Sequence, residues 1–391
     1  MPTTIGKLTG TRIDSHVHVG LIGDSGNDWG SMSEHMRSRL EYRVFLAYGR
    51  IDEDTVCDRT LREATVEVID TCGLDHVVCL ALDPVFDHQG VERRDLSHLW
   101  VANDYVVDLR RELGDRVLLG ASVHPYDPTF SDRVRAQIDQ GAVLLKWLPS
   151  VQGIDLADPR AGRAMRELAT IGPGGGPLPL LLHIGAEYAI PAAEARHTPN
   201  DFLSWTRADR IRNLLRFGNR WDQPDIAGVH ANLRAALAAG AVIIFAHCGL
   251  PYFTSGLLSR LAEHSDFEVI REHLNAWPAD GSQGGRCLAD VSACCTPFRQ
   301  RWFSTVERLP RESLIVGSDF PTPVFELSAD LKEAWRDFKA MLHGDLWRLV
   351  IPQDNLLDVN ARELGLAFPG HPMAERLGRL LDELGLPAGP A

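Results

Sequence analysis

Two histidines separated by one residue, in Arg12-Ile13-Asp14-Ser15-His16-Val17-His18-Val19-Gly20, are the most chemically suggestive feature of this 391-residue chain. A strand alternates its side chains between faces, so Asp14, His16 and His18 share one face while Val17 and Val19 take the other. Neutral imidazole is the commonest zinc ligand and also suits iron and other borderline metals. A histidine pair beside a carboxylate at the end of an apolar strand therefore reads as half of a site for a divalent cation.

Three other segments have the same design. Leu178-Pro179-Leu180-Leu181-Leu182-His183 and Ala241-Val242-Ile243-Ile244-Phe245-Ala246-His247 are apolar runs ending in histidine, and Leu314-Ile315-Val316-Gly317-Ser318-Asp319 ends in aspartate. Any one of these terminal residues alone reads as a polar cap on a core strand. Four strands ending in metal-ligand residue types argue for one shared site.

Near-continuous apolar runs are the habit of parallel sheets covered on both faces. The chain offers eight: 12–18, 76–82, 117–123, 143–148, 178–183, 242–247, 287–292 and 314–318. Amphipathic helical patterns lie between them, at 54–71, 96–113, 130–140, 160–170, 255–264 and 328–342. Strict alternation, the right-handed crossover and the count of eight predict an α/β fold, a (β/α)8 TIM barrel. Long insertions follow strand 1 (21–52, carrying Arg37, Arg39, Arg43 and Arg50) and strand 5 (184–228), and both are expected to act as lids over the barrel mouth. We expect one domain over 1–391, with a barrel core at about 11–366 and a helical tail at 367–391. In that tail Met373, Leu377, Leu380, Leu381 and Leu384 form one apolar stripe, which must pack either on the chain's own barrel or on another subunit of a homo-oligomer such as a dimer.

A formal charge of −13 argues against nucleic acid and anionic membranes as partners and leaves a small molecule as the expected one. Seven scattered cysteines without a C-x-x-C pair, and no basic-then-apolar leader at the start, suggest a reduced, cytoplasmic setting.

With His16-x-His18, His183, His247 and Asp319 in order, the chain resembles the amidohydrolase superfamily, specifically its amidohydrolase-2 branch. Ser318-Asp319-Phe320-Pro321, Leu144-Leu145-Lys146-Trp147-Leu148-Pro149 and Asn360-Ala361-Arg362-Glu363-Leu364 add to the match, which covers roughly residues 10–366. The resemblance implies one divalent ion, zinc ahead of manganese or iron(II), held by His16, His18, His183 and Asp319 with His247 close by. It also places Lys146 where binuclear relatives carry a carboxylated lysine, so a second metal is expected only if Lys146 is carboxylated. The branch includes hydrolases of amides, esters and lactones as well as non-oxidative decarboxylases.

Such an ion can make hydroxide available at neutral pH, with Asp319 moving the proton and His247 orienting water or polarising a carbonyl. We therefore expect a metal-dependent hydrolase with Asp319 and His247 catalytic, acting on a small carboxylated or cyclic substrate. A decarboxylase of an aromatic or unsaturated acid is the alternative. A metal-stabilised but inactive interaction barrel is a third reading, opposed by the full ligand set. Loop residues near strand ends, namely Lys146, Trp147, His124, Tyr126, Glu187, Tyr188, Arg299 and Arg301, are the candidates for substrate binding.

Overall fold

A computed structural model describes residues 6–184, 187, 189–193, 226–250, 266–296, 303–324 and 351–387. Eight strands run parallel and in chain order: β1 (Ile13–His18), β2 (His76–Leu80), β3 (Val117–Ala121), β4 (Ala142–Trp147), β5 (Leu180–Leu182), β6 (Val242–Phe245), β7 (Arg286–Asp290) and β8 (Leu314–Ile315). The first and last strands then meet. Ser15 N–H donates to the Val316 carbonyl at 3.0 Å, Asp319 N–H to that of His16 at 2.8 Å, and His18 N–H to that of Phe320 at 2.9 Å, which closes the barrel. All eight expected strands are present, several ending sooner than their apolar runs. Past the ladders the chain turns sharply, with φ of 55° at His247, 53° at Ala293 and 61° at Asp319. Of these left-handed residues His247 and Asp319 line the mouth, at a conformational cost that a non-glycine residue rarely bears without a role.

Helices cover the outside: α1 (Leu40–Tyr48), α2 (Asp58–Thr71), α3 (Asn103–Leu113), α4 (Phe130–Asp139), α5 (Pro159–Glu167), α6 (Ile226–Ala238), α7 (Asp266–Ala276), α8 (Leu356–Ala367) and α9 (Met373–Glu383). In α2 the inward row Leu61, Thr65, Ile69 recurs at the helical repeat and is buried. The helix expected from residue 96 starts only at Asn103. Leu99–Val101 instead pairs antiparallel with Gly30–Met32, because a short β-prone run beside a partner strand outweighs a weak helical period. The helical patterns at 255–264 and 328–342 lie outside the described residues.

The insertion after β1 folds over the mouth as the strand Gly30–Met32, a short helical turn and α1. Its arginines hold structure: Arg39 pairs with Glu41, Arg43 with Glu53, and Arg50 donates to the carbonyls of Pro352, Gln353 and Asp354. The tail stripe packs on the chain's own barrel. Met373, Leu377, Leu380 and Leu381 of α9 are buried against β1 and β8. A Cβ at Gly378 would stand 2.3 Å from the Leu8 carbonyl oxygen, so only glycine lets α9 approach this closely. Among the described residues no helix is long and apolar enough to cross a membrane.

Candidate metal centre

Strand β1 carries a bulge. Asp14 pairs with Val77 and Val17 with Cys79, so three steps on β1 face two on β2. Asp14 lies one layer deeper than His16 on the same strand. Its carboxylate accepts from the backbone N–H of His16 and of Ser318, each at 2.9 Å, and so fixes the two ligand-bearing segments to one another. Burial pushes its pKa up to about 6, against the lowering effect of those bonds.

His16 and His18 bring their Nε2 atoms within 3.1 Å, and Asp319 Oδ1 lies 3.4 Å from the first and 3.2 Å from the second. Ligands about 2.0–2.1 Å from an ion at tetrahedral corners stand roughly 3.3 Å apart, so these three atoms have the spacing of one face of a zinc site. Their protonation suits it. Burial, with Lys146 adding to it, lowers the pKa of His16 to about 4, so the ring is neutral. Burial disfavours the charge on Asp319, yet the surrounding histidines hold its pKa well below the usual carboxylate range. Its second oxygen accepts from the Thr322 hydroxyl at 2.9 Å.

Asp290, which the sequence reading passed over, organises the site from below. One oxygen accepts from His16 Nδ1 at 2.8 Å, and the other accepts from the backbone N–H of His247 at 2.9 Å and of Ser292 at 3.0 Å. The Ser292 hydroxyl donates to the same carboxylate, which leaves its oxygen to accept from His247 Nδ1 at 2.8 Å. Both rings therefore carry a proton on Nδ1, and the neutral His16 ring offers Nε2 as a lone pair. His16, His247 and Asp290 also lie close enough to hold an ion. Their facing atoms are already joined by these hydrogen bonds, however, so we assign the trio to orienting the rings. The signal was the acid closing the run Cys287-Leu288-Ala289-Asp290, the pattern that also marks the other ligand strands.

His183 is brought to the same cavity, its ring centroid 5.0 Å from that of His247 and its Nε2 3.7 Å from Glu187 Oε2. It stands outside the tight trio. Glu187 is largely withdrawn from solvent, which raises its pKa, and its other oxygen accepts from the N–H of Ala189 and Ile190. Lys146 points inward from β4 with no exposure, its Nζ 3.1 Å from His16 Nε2, and burial lowers its pKa to about 8.

Other expected substrate residues are placed elsewhere. Trp147, next along β4, faces the opposite way: its indole N–H donates to the Val123 carbonyl at 2.9 Å and its ring packs edge-on against Phe130. The Tyr126 hydroxyl accepts from Asp155 N–H at 2.9 Å, with Arg160 over its ring. His124 uses both nitrogens, accepting from Tyr126 N–H and donating to the Gln152 carbonyl. Packing and hydrogen bonding account for all three. Tyr188, Arg299 and Arg301 lie outside the described residues. Cys248, Cys294 and Cys295 are buried, and Cys248 donates to the Asp290 carbonyl.

A cavity opens on His18, His183, His247 and Asp319 and extends beneath the insertion after β1. Asn360 of α8 holds the base of the last ligand strand by donating to the Gly317 carbonyl at 3.0 Å. At Gly317 itself a Cβ would lie 2.8 Å from that of His16, so glycine is what lets the closing segment sit against β1.

No family model and no curated protein matches the sequence. Solved structures do. The apo form of IDCase from Metarhizium anisopliae is 15% identical over 97% of this chain and 98% of its own, with a TM-score of 0.48. A 5-carboxyvanillate decarboxylase from Sphingomonas paucimobilis is 15% identical over 92% and 98%, with a TM-score of 0.43. A probable 2-pyrone-4,6-dicarboxylic acid hydrolase from Acinetobacter baumannii is 13% identical over 90% and 99%, with a TM-score of 0.41. Both hydrolases and decarboxylases stand among those neighbours.

Proposed function

We propose that this barrel is a metal-dependent hydrolase using a single divalent ion, zinc in the first instance, to cleave an amide, ester or lactone bond. The observation that carries the reading is the convergence of His16 Nε2, His18 Nε2 and Asp319 Oδ1 within 3.4 Å of one another at the floor of a cavity. An ion in that donor set supplies Lewis acidity and lowers the pKa of bound water toward ~7. His183, on the cavity wall, is the fourth donor.

The side chains divide the remaining work. Asp290 keeps the His16 proton on Nδ1, so Nε2 stays available as a ligand atom. His247 has its Nδ1 held by Ser292, so in the neutral ring Nε2 is the unprotonated nitrogen. In that tautomer it accepts a hydrogen bond from the attacking water and does not donate one to the substrate carbonyl. Asp319, held ionised, takes the water's second proton and returns it to the leaving group.

Turnover in oxygen-18 water tests the reaction type. Hydrolysis leaves solvent oxygen in the product carboxylate. Stoichiometric carbon dioxide, solvent hydrogen at carbon and no label in the organic product would overturn hydrolysis and establish decarboxylation instead.

A further inference from the structure

Among the described residues the cavity is largely one-sided. Its charged and imidazole groups, His18, His183, His247, Asp319 and Glu187, gather at the ring cluster. The far wall is built by the insertion after β1, which contributes Met36, Tyr42, Phe45, Leu46 and Ile51, and by Leu61 and Ala64 on α2. The Tyr42 hydroxyl is buried without a hydrogen-bond partner, so the wall holds one uncharged polar group. Thr65 is also in that wall, but its hydroxyl donates to the Leu61 carbonyl within the helix. The guanidinium groups of Arg43 and Arg50 are held outside it, by Glu53 and by the carbonyls of 352–354.

We propose that this wall is a subsite for an uncharged aliphatic or aryl group of the substrate, lying beside the bond that reaches the ring cluster. The inference rests on the reading of that cluster as the metal centre. A carboxylate placed in this wall would exchange most of its hydration for methyl, thioether and aromatic surface, with the Tyr42 hydroxyl as a single donor, and it would face Glu187 and Asp319 across the cavity. An apolar group gains by displacing water from the same surface. The substrate is thus of the N-acyl, O-acyl or aryl-substituted kind.

Two probe series separate the subsite from the ion. Neutral n-alkanols from butanol to octanol, displacing the apolar dye Nile red from metal-free protein, read the wall alone. Hydroxamates from acetohydroxamate to octanohydroxamate, titrated calorimetrically into zinc-loaded protein, read wall and ion together. Affinity should rise about threefold to fourfold per added methylene in both series. Ala64→Phe, which fills the wall, and Phe45→Asp, which charges it, should each flatten the slope. Affinity independent of chain length, or preference for succinic monohydroxamate over butanohydroxamate, overturns the proposal. A rising alkanol slope in protein that neither retains zinc nor binds hydroxamates supports the subsite and removes the metal reading. Retained zinc with flat slopes does the opposite.

Discussion

Asp290 accepts a hydrogen bond from His16 Nδ1 at 2.8 Å, and neither side chain is exposed to solvent. Burial opposes the charge on Asp290, but His16, His247 and Ser292 outweigh it and hold its pKa far below the usual range. Partners that orient a ligand ring are worth about 10–100-fold in metal affinity. Asp290→Asn should weaken zinc binding by that order, measured by competition with a fluorescent chelator. Unchanged affinity in a folded variant would show that Asp290 does not orient His16.

The ligand set itself has a direct test. Elemental analysis should find about one zinc per chain. The double variant His16→Ala, His18→Ala should lose it while circular dichroism stays that of a folded barrel; full occupancy in that variant would sink the assignment.

His247→Asn should lower turnover by roughly two orders of magnitude while leaving metal content near that of the parent protein. Lys146→Met separates one ion from two. If the parent chain binds two ions and this variant one, Lys146 carries the bridging carboxylate group. A count of one in both supports the single-ion reading.

The insertion after β1 is clamped by Asp58, whose carboxylate accepts from the N–H of Ile22, Gly23 and Ser25 and from the Ser25 hydroxyl. Burial raises its pKa, but these four bonds more than offset that and hold it below the ordinary 3.8. A depressed folded pKa contributes stability above the ordinary value, lost as pH falls through the folded one. The amides of Ile22, Gly23 and Ser25 should therefore be protected at pH 6 relative to their intrinsic exchange rates at that pH, and the protection should fall below about pH 4. Asp58→Ala should show little protection at either pH, and protection that does not change with pH in the parent protein would exclude the clamp.

Gly317→Ala tests the close approach of the closing segment to His16. Overpacking of this kind costs typically about 1–3 kcal/mol, and here it displaces a ligand residue as well. We expect a lower Tm together with weaker zinc binding, read by calorimetry. A Tm loss with unchanged zinc affinity would mean that the strain relaxes away from His16.

Much of this arrangement was legible in residue order, because period-2 alternation and apolar runs are local properties. That His16 and His18 share a face follows from spacing alone, and the same rule applied to Lys146 and Trp147 separates them, since adjacent residues on a strand cannot both face the mouth. The bulge in β1 was not legible: it depends on how β1 registers with β2, far along the chain. Tyr126 read as a loop aromatic because its partners, Asp155 and Arg160, are joined to it only by the fold. Asp290 was visible as a residue but not as a hub, since its role exists only once His16 stands above it.

Barrel closure also sets when the site can come into being. Asp14 and Ser318, joined by a hydrogen bond, are 304 residues apart in sequence, and Asp319 reaches His16 across the same seam. Contacts of such range form late, after the entropy of bringing the chain ends together has been overcome. During synthesis the nascent chain holds His16 and His18 long before the ribosome has made Asp319, so the proposed ion site is complete only once nearly the whole chain has been released. If zinc binds there, its uptake should report the final step of folding, with partly built barrels left unloaded.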